Sequence, residues 1–452
     1  MFSKILVANR GEIALRVILT AKQLGLKSVI VHSTADANSL PVKFADEAVC
    51  IGPPPSTDSY LNIFNILSAA EITGADAIHP GFGFLSENIK FAKACEEQNI
   101  AFIGPPLEIV SKMGNKSVAK QEMIDAGIPV VPGSDGNVES VDHALSVAKE
   151  IGYPVILKAA LGGGGRGMKI VRDDKHMKEE LEIARAEAQT AFEDSAVYIE
   201  KYIENPRHIE FQLLGDKFGN VVHLGERECS IQRRHQKLIE ESPSVAVNPA
   251  LREKMGAMAV KAAKRLNFHN VSTIEFLLDQ DESFYFMEMN TRIQVEHAVT
   301  GLVTNKDLIK EQILSTMGEK LRFSQKDVVF LGHAIECRIN AEDPDNDFLP
   351  CAGKITGYHA PTGTGVRVDS HVFENYEIPP YYDSLISKLL VLGNDRIDAI
   401  IKTKFALSEY VILGINTNLS LQLDIISHER FITGEFNTNF LDEFLKERSE
   451  QQ

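Results

Sequence analysis

Short apolar runs alternate with amphipathic stretches through the first hundred residues, and this alternation restricts the fold more than any other feature. The apolar runs predict buried strands at Ile5–Ala8, Ser28–Val31, Ala48–Ile51, Ala77–His79 and Ala101–Ile103. The stretches between them have helical spacing over Glu12–Leu24, Tyr60–Thr73 and Asn88–Gln98. Strands that alternate with helices form βαβ units, so the chain is predicted to begin with a parallel sheet.

Turn residues follow these predicted strands, at the edge of a parallel sheet where ligands bind. They are Asn9–Gly11, Gly52–Pro55, Pro80–Gly81 and Gly104–Pro106. No GxGxxG sequence follows the first strand, so a dinucleotide site like that of a Rossmann dehydrogenase is disfavoured.

Two further units follow, and their patterns differ from the first. The second begins near Met113 and combines a glycine-rich loop and the polar helix Lys178–Glu193 with further strands. Those strands are Val155–Ala159, Met168–Val171, Val197–Glu200, Ile209–Leu214, Val221–Glu226, Ser272–Leu278 and Ser283–Met289. The third begins near Gly332, is rich in short strands and turns, and has a helical stretch at Arg396–Glu409. The predicted fold class is α/β, or α+β overall, with a Rossmann-like parallel first unit and a mixed last unit.

The charge balance and the cysteines exclude several classes of protein. The chain has 47 Lys and Arg against 63 Asp and Glu, a formal net charge of -16, whereas a nucleic-acid partner needs a clustered basic surface. Its five cysteines are odd in number and show no CxxC pairing, which argues against a disulfide framework or a zinc site. With no leader-like start and no segment of membrane-spanning length, we expect a soluble cytoplasmic protein.

The strongest chemical signal is the alternating run Met287–Glu296. Its polar members occupy every second position and would share one face of an extended strand. They are Glu288, Asn290, Arg292, Gln294 and Glu296. The ordinary explanation for such a run is an amphipathic strand with a solvated face, and the register of the predicted hairpin argues against it.

The predicted strands Ser272–Leu278 and Ser283–Met289 flank a short turn and therefore form a hairpin. Its register brings Glu275 opposite or nearly opposite Glu288, and like charges across a strand pair are destabilising unless something compensates. A divalent cation would compensate, and Glu275, Glu288 and Asn290 offer the oxygen ligands that Mg²⁺ prefers.

The end of the same run offers an anion clamp and a base. Arg292 presents a planar fork suited to an oxyanion, and Glu296 is a candidate general base. A cation site, an anion clamp and a base along one strand favour a catalytic surface over a solvated one.

Two weaker signals accompany this run. Lys158–Gly167 is glycine-rich and can approach phosphates, but a flexible hairpin loop is its ordinary explanation, and it is not a Walker A loop. Gln232–Lys237 is basic among acidic neighbours, which suits an anion near a metal, although most basic runs are solvated faces. Cys229 between them is predicted to be a small buried residue rather than a nucleophile.

Several segments together make the chain recognisable, and they run from one end of it to the other. They are Ala8–Arg16, His79–Asn88, Gly162–Met168, Glu200–Tyr202, Asn205–His208, Gln232–Lys237, Glu288–His297, Glu336–Pro344 and Pro380–Ser384. In these segments the chain closely resembles the biotin carboxylase component of biotin-dependent carboxylases, within the ATP-grasp superfamily. The resemblance implies an N-terminal domain at 1–114, an ATP-grasp domain at 115–331 with a mobile lid at about 131–203, and a mixed α/β C-terminal domain at 332–447.

The resemblance also implies a reaction, in which ATP phosphorylates bicarbonate to carboxyphosphate and the carboxyl group then passes to biotin. The implied ATP-binding residues are Lys116, Lys158, Gly163, Gly164, Gly165, Glu200, Lys201, Ile203, His208, Gln232, His235 and Leu277. Glu275, Glu288 and Asn290 would hold Mg²⁺ or Mn²⁺. The implied bicarbonate ligands are Lys237, Arg292, Gln294 and Val295. Glu296 would deprotonate bicarbonate, and Arg338 would stabilise the biotin enolate.

A few positions depart from the family pattern. Phe82 stands near the expected biotin site, where Tyr is common, and Leu161 replaces a usual glycine at the head of the glycine-rich loop. Ala298 and Gly301 stand where Pro and Glu are frequent. None of these changes removes a predicted catalytic group.

The alternatives are another ATP-grasp ligase, such as a carbamoyl-phosphate or purine-pathway enzyme, and a catalytically inactive nucleotide-binding regulator. The segments around Arg338 and at Pro380–Ser384 argue against the first, and the acidic and basic site residues argue against the second. Because the sequence has no Ala-Met-Lys-Met biotinylation motif, biotin is expected on a separate carrier protein that also serves a carboxyltransferase. A homodimer is expected from the family, and the final carboxyl acceptor is left open.

Overall fold

The computed structural model describes residues 2–160, 168–192 and 194–451, and its first part is a five-stranded sheet with helices packed against it. Its elements are β1 (Lys4–Val7), α1 (Gly11–Gln23), β2 (Lys27–Ser33), α2 (Leu40–Phe44), β3 (Glu47–Gly52), α3 (Ile63–Thr73), β4 (Ala77–His79), α4 (Ile89–Glu97), β5 (Ala101–Phe102) and α5 (Leu107–Gly114). The strand order is β3-β2-β1-β4-β5 and every neighbouring pair is parallel, which confirms the predicted parallel sheet. The order reverses beside β1, so the loops after β1 and β4 leave a crevice between them.

Asparagine caps set where two of these helices begin. The side chain of Asn62 accepts a hydrogen bond from the Asn65 N–H, so α3 begins at Ile63 rather than at the predicted Tyr60. Asn88 caps α4 in the same way. Tyr60 is instead buried, and its hydroxyl donates to Asp36 at 2.6 Å.

The second part of the structure is a small sheet with a hydrophobic core of its own. Its elements are α6 (Lys116–Ala126), α7 (Val141–Ile151), β6 (Val155–Ala159), β7 (Met168–Val171), α8 (Met177–Phe192) and β8 (Val197–Lys201). The strands are antiparallel in the order β7-β6-β8. Leu157 and Ile199 on the sheet pack with Leu181 of α8 and Ala144 of α7 in that core. The predicted strands of this region are confirmed, with β8 one residue longer than expected.

A large antiparallel sheet forms the rest of the middle of the chain. Its elements there are β9 (Arg207–Gly215), β10 (Val221–Arg233), β11 (Gln236–Ser242), α9 (Pro249–Arg265), β12 (Asn270–Leu278), β13 (Phe284–Asn290), α10 (His297–Thr304) and α11 (Leu308–Met317). The predicted hairpin is confirmed as β12–β13, and Glu275 lies directly opposite Glu288. A register shift beside Glu275 places the intervening Met287 outside the regular pairing.

The last part of the chain extends the same sheet. Its elements are β14 (His333–Asn340), β15 (Glu342–Asp343), β16 (Leu349–Pro350), β17 (Gly353–Lys354), β18 (Gly357–His359), β19 (Val366–Ser370), β20 (Glu377–Ile378), β21 (Leu385–Gly393), α12 (Arg396–Glu409), β22 (Val411–Leu413), α13 (Leu419–Ser427), α14 (Glu429–Thr433) and α15 (Phe440–Gln451). The large sheet has the order β13-β12-β9-β10-β11-β14-β21-β19. Because β11 pairs with β14, one sheet joins the middle of the chain to its last part.

Two predicted strand ends differ from the structure by more than two residues. β10 was expected to end at Glu226 but continues to Arg233, because its buried carboxylates have cationic partners. Glu226 lies 2.6 Å from Arg252, and Glu228 lies 3.2 Å from Arg207.

The alternating run Met287–Glu296 is extended only as far as Asn290, so the expectation of one strand throughout is wrong. At the next residue the Thr291 N–H donates to the carboxylate of Glu87 at 2.9 Å instead of to a strand. Helix α10 then begins at His297. Within the described part of the chain, no helix has the length and apolar character needed to cross a bilayer.

Candidate active site

A cavity of about 1670 Å³ lies among the crevice of the first sheet, the small sheet and the large sheet. Nearly all the predicted site residues line it: Phe82, Lys116, Lys158, Glu200, Lys201, Ile203, His208, Gln232, His235, Lys237, Glu275, Leu277, Glu288, Asn290, Arg292, Gln294, Val295, Glu296 and Arg338. The predicted residues Gly163, Gly164 and Gly165, and the nearby departure Leu161, lie outside the described residues. Residues that are far apart in sequence therefore meet around one space large enough for several small ligands.

Glu296 is a buried carboxylate held between two cations. It precedes α10 and is 2% exposed. Lys237 Nζ lies 2.6 Å from its Oε1, and Arg338 Nη2 lies 2.9 Å from its Oε2. Burial alone would raise the pKa of Glu296, but Lys237 and Arg338 outweigh it and hold that pKa well below the ordinary value. Glu296 is therefore an anion at neutral pH and can accept a proton.

Lys237 links Glu296 to the rest of the charged cluster. Its ammonium also lies 2.5 Å from Glu210 and 3.1 Å from Glu275. Burial opposes its charge, but Glu210, Glu275 and Glu296 together raise the pKa of Lys237 well above its ordinary value. The cluster thus keeps a fixed positive charge beside the base.

The Glu275–Glu288 pair lies at the other end of this cluster. Asn290 Nδ2 is 2.8 Å from Glu275 and 3.5 Å from Glu288, so the three predicted metal ligands are adjacent. Desolvation, and then the charge of Glu275, raise the pKa of Glu288. His208 Nε2 lies 2.8 Å from Glu275, and Lys237 and His208 together lower the pKa of Glu275 against the effect of burial.

The segment between the strand and α10 carries the predicted anion ligands. Arg292 donates to Glu87 at 2.8 Å and to Asn290 Oδ1 at 2.9 Å. Gln294 donates to Glu275 at 2.7 Å and accepts a hydrogen bond from the buried Arg227 at 2.7 Å. These hydrogen bonds fix the segment although it is no longer a strand.

The backbone of Val295 is held by the last part of the chain. Its carbonyl accepts a hydrogen bond from Lys388 Nζ at 2.7 Å. Lys388 is fully buried and also lies 3.2 Å from Glu12 of α1. The bond therefore connects the segment before α10 to both the first and the last part of the chain.

The predicted nucleotide residues lie where the small sheet faces the large one. Glu200 lies 2.7 Å from Lys158 and 3.0 Å from Lys120, and these two lysines lower the pKa of Glu200 against the effect of burial. Lys201 Nζ donates to the carbonyls of Gly152 and Tyr153 at 3.1 and 2.8 Å. The ammonium of Lys201 is thereby held by the backbone of the turn between α7 and β6.

The basic run Gln232–Lys237 forms the turn between β10 and β11. Gln232 lies opposite Lys237 in the ladder, and its side chain contacts His208 Nδ1 at 2.7 Å. Arg234 and His235 both have positive φ, 47° and 66°, as a two-residue hairpin turn requires. His235 lines the cavity, so this turn is not simply a solvated face.

Several charged residues of the site were not predicted from the sequence. They are Glu87, Lys120, Glu210, Arg227, Glu240 and Lys388. One signal could have identified Glu210, because His208, Glu210 and Gln212 alternate with apolar residues along β9 in the same way as the run ending at Asn290. Glu87 had no such signal, since it lies in a loop.

Comparison with known proteins identifies the family. Residues 1–110 match the model "Biotin carboxylase, N-terminal domain", residues 115–324 match "Carbamoyl-phosphate synthase L chain, ATP binding domain", and residues 336–443 match "Biotin carboxylase C-terminal domain". Biotin carboxylase from Nostoc sp. is 57% identical over 445 residues, which cover 98% of this chain and 100% of the relative. The chain belongs to the biotin carboxylase family.

Solved structures of other members of the biotin carboxylase family have the same fold. The biotin carboxylase domain dimer of Hydrogenobacter thermophilus 2-oxoglutarate carboxylase, in complex with MgADP, ADP and bicarbonate, is 50% identical. It matches with a TM-score of 0.92 over 98% of both chains. Biotin carboxylase from Campylobacter jejuni in a β,γ-ATP complex is 51% identical, with a TM-score of 0.93 over 98% of this chain and 99% of that chain. The predicted family and fold class are both confirmed.

The cavity of this chain has a donor set that fits a magnesium ion. Glu275 and Glu288 face each other across the hairpin with Asn290 beside them. Two like charges in this position need a cation, and their carboxylate oxygens leave room for phosphate and water in the Mg²⁺ shell. Asn290 Oδ1, which accepts from Arg292 here, would join them only after its amide rotates. A second group of possible ligands, His208, Glu210 and Glu275, fits less well, because Lys237 and Arg227 already neutralise Glu210.

Proposed function

We propose that this chain catalyses the ATP-dependent carboxylation of biotin with bicarbonate. The observation that carries the proposal is the buried anion Glu296 between Lys237 and Arg338, in one cavity with the acidic pair Glu275 and Glu288. A base flanked by cations suits an anionic substrate that must lose a proton, and an acidic pair suits a metal bound to phosphates. The chain is a ligase that uses ATP and Mg²⁺.

Bicarbonate is activated in the first step of the proposed reaction. Lys237, Arg292 and Gln294, with the backbone of Val295, hold the anion, and Glu296 accepts its proton. The deprotonated oxygen attacks the γ-phosphorus of ATP, so that ADP leaves and carboxyphosphate forms. Lys237 and Arg292 stabilise the added negative charge because both remain cations within the cavity.

Biotin is carboxylated in the second step. The nitrogen of the biotin ureido group attacks the carboxyl carbon, the bond between that carbon and the phosphate oxygen breaks, and the departing phosphate accepts the ureido proton. Arg338 stabilises the enolate oxygen that develops, which requires a guanidinium that already points into the cavity. Carboxyphosphate hydrolyses readily, so closure of the small sheet over the cavity would exclude water.

The nucleotide is proposed to lie between the small sheet and the large one. Its implied contacts are Lys116, Lys158, Glu200, Lys201, Ile203, His208, Gln232, His235 and Leu277, with the three loop glycines. The Lys158–Glu200 pair would have to open for Lys158 to reach a phosphate, since the two are 2.7 Å apart. Glu275, Glu288 and Asn290 would hold Mg²⁺, which neutralises phosphate charge when bound.

The domain organisation, partners and location complete the proposal. We place domain boundaries at 1–114, 115–331 and 332–447, with a lid at about 131–203, and infer a homodimer that works with a biotin carrier protein and a carboxyltransferase. The homodimer is supported by the Hydrogenobacter thermophilus relative, which is a dimer. All five cysteines, each within the described residues, are free, which suits the reducing cytoplasm.

The substitution Glu296→Gln tests the proposed role of the base. It keeps the shape of the side chain but removes the proton acceptor, so biotin-dependent ADP release should fall by about 10²- to 10⁴-fold. The affinity for MgATP, measured by calorimetry, should change little. Glu253→Gln, on the exposed surface of α9, is the control and should retain full activity.

Two results would contradict the proposal. Equal loss of ATP binding and turnover in Glu296→Gln would make Glu296 a structural residue. A folded wild-type protein whose bicarbonate-dependent ADP release is not stimulated by biotin would instead be another ATP-grasp ligase.

A further inference from the structure

Several acidic residues lie opposite each other in the large sheet, and one such pair lies outside the proposed metal and bicarbonate sites. Glu240 on β11 and Glu336 on β14 are direct cross-strand partners, and both side chains are 0% exposed. Side chains at such positions are about 5 Å apart at Cβ, and like charges there are destabilising. Unlike the Glu275–Glu288 pair, this pair has no access to solvent or to a metal ion.

The hydrogen bonds of the pair are incomplete. Glu240 Oε1 accepts from Arg338 Nε at 2.6 Å. Among the described residues, Glu240 Oε2 and both oxygens of Glu336 have no hydrogen-bond partner, which is three of the four oxygens. Buried carboxylate oxygens without donors are costly, and a single proton between the two carboxyl groups would satisfy both.

The charges around the pair are consistent with one bound proton. Among the described residues, the groups that act on the pair are Arg338 and Cys337 on β14, Lys237 on β11, Cys229 on β10, Lys388 on β21 and Glu296 before α10, while His297 acts on Lys388. Burial, and then Lys388, lower the pKa of His297, which is therefore neutral, and Lys388 is already occupied by Glu12 and the Val295 carbonyl. Arg338 is shared between Glu240 and Glu296. Two full anions at Glu240 and Glu336 would therefore outnumber the cations that remain for them.

The electrostatics of the two carboxyl groups agree with this count. Burial, and then Glu240, raise the pKa of Glu336 well above its ordinary value against the attraction of Lys388. Burial also raises the pKa of Glu240, to about 7, although Arg338 opposes it. Because Glu240 is paired with Arg338 whereas neither oxygen of Glu336 has a hydrogen-bond partner among the described residues, the shared proton is assigned to Glu336.

We propose that Glu336 is a positioning residue, which donates a shared proton to Glu240 and so holds Glu240 in the orientation that clamps Arg338. Arg338 makes hydrogen bonds to Glu240 and Glu296 through the same guanidinium, so the orientation of Glu240 sets where that guanidinium points in the cavity. The role in turnover rests on the proposed function, whereas the shared proton does not.

Three variants separate a shared proton from an ordinary ion pair. Glu336→Gln keeps a donor at the same place, Glu336→Met removes it, and Glu241→Gln is the matched control. Glu241 lies next to Glu240 on the same strand but on the opposite face, where His333 and Arg396 each lie 2.8 Å away. Glu241 also lies opposite a carboxylate, Glu228, but against the effect of burial its contacts with His333 and Arg396 lower its pKa, so Glu241 is an ionised carboxylate with partners of its own.

The first measurements need no turnover. Infrared difference spectra at neutral pH should show a protonated carboxylic acid in the wild type that is absent from Glu336→Gln and present in Glu241→Gln. At pH 7 the melting temperature of Glu336→Gln should be equal to or higher than that of the wild type. Any difference between the two should decrease as the pH falls. Glu241→Gln should melt at a lower temperature than the wild type. A lower melting temperature for Glu336→Gln and no acid signal in the wild type would overturn the proposal, because Glu336 would then be ionised against Lys388.

The last measurement is the pH dependence of kcat/KM for biotin. In the wild type, the shared proton should be lost at high pH and kcat/KM should then fall. In Glu336→Gln, which has no such proton to lose, the fall in kcat/KM should occur only at higher pH. Glu336→Met should lose about tenfold in kcat/KM for biotin with little change in KM for ATP, as expected for one lost hydrogen bond to a charged group. Superimposable alkaline profiles would overturn the positioning role, and absence of biotin turnover in every protein would count against the proposed function alone.

Discussion

Lys237 shows how single residues control the chemistry of the cavity. Its ammonium neutralises part of the charge of Glu210, Glu275 and Glu296 at once, and Arg227 and Arg338 supply the remaining positive charge. Breaking such a buried set is costly, because each charge left alone is desolvated without compensation. The residue that is proposed to hold bicarbonate is therefore also needed to keep the base ionised.

The first prediction concerns the acid sensitivity of this cluster. Glu275 and Glu296 have lowered pKa values in the folded protein, so their contribution to stability is present above the unfolded value of about 4.3. As the pH falls below the unfolded pKa, each of the two carboxylates should lose up to about 1.4 kcal/mol of its contribution to stability for each pH unit. Urea denaturation of the wild type between pH 7 and pH 3 should show this fall.

The variant Lys237→Met should change the shape of that curve as well as its height. Without the ammonium, Glu296 loses its main cation and its pKa should rise, so the variant should gain stability as the pH falls from 7 to 5. Lys264→Met, on the exposed surface of α9, should follow the wild type. Parallel curves for the wild type and Lys237→Met would show that Lys237 does not control the ionisation of Glu296.

At the scale of elements, the β12–β13 hairpin contains an unfavourable acidic pair that is proposed to bind a metal ion. The register places Glu275 opposite Glu288, which costs stability when no cation is bound. The strand then ends at Asn290, and the next segment turns so that Arg292 and Gln294 face the same cavity from a different backbone.

The second prediction follows from this pair. Glu288→Gln removes the repulsion, so in metal-free buffer it should be as stable as the wild type or more stable by about 0.2–1 kcal/mol. MgATP should stabilise the wild type by about 2.7 kcal/mol when its concentration is about one hundred times its dissociation constant. The variant should lose most of this stabilisation. Thermal melting with and without MgATP measures both effects.

The control for this experiment lies in the same hairpin. Glu282→Gln, in the exposed turn, keeps an acceptor for Asn248 and should behave like the wild type in both buffers. If Glu288→Gln were still fully stabilised by MgATP, Glu288 would not be a metal ligand.

At the scale of the whole molecule, the large sheet and the small sheet differ in how they are connected. The large sheet includes both β11 and β14, so the middle and the last part of the chain share one hydrogen-bonded ladder. The small sheet has its own core and is joined to the large one around the cavity. A separate core allows local opening without loss of the rest of the structure.

The third prediction is therefore made for hydrogen exchange. Amides of β6, β7 and β8 should exchange faster than those of β9–β12 and β14 in the free protein, and should become more protected when MgATP binds. The strands β11 and β14 should exchange together, because neither can open without breaking their shared ladder. Equal protection of the small and large sheets in the free protein would contradict the proposed lid.

The sequence by itself determined the order of elements and much of the site. Periodicity predicted the parallel first sheet and most strands of the small sheet within a residue or two, because a buried strand needs a continuous apolar run. It also predicted the β12–β13 register, because the turn fixes which residues are opposite. The names of the anion and of biotin came from the family resemblance, since periodicity can indicate an anion clamp and a base but not the substrate.

The tertiary structure alone decided which distant residues neutralise one another. Glu210, Arg227, Glu240 and Lys388 lie in strands where a charge looks like a solvated position, and Glu87 lies in a loop. Their partners come from other parts of the sheet, and a cross-strand or loop contact leaves no local periodic signal. The strand end at Asn290 was missed for the same reason, because the carboxylate that takes the next backbone N–H lies about 200 residues earlier in the chain.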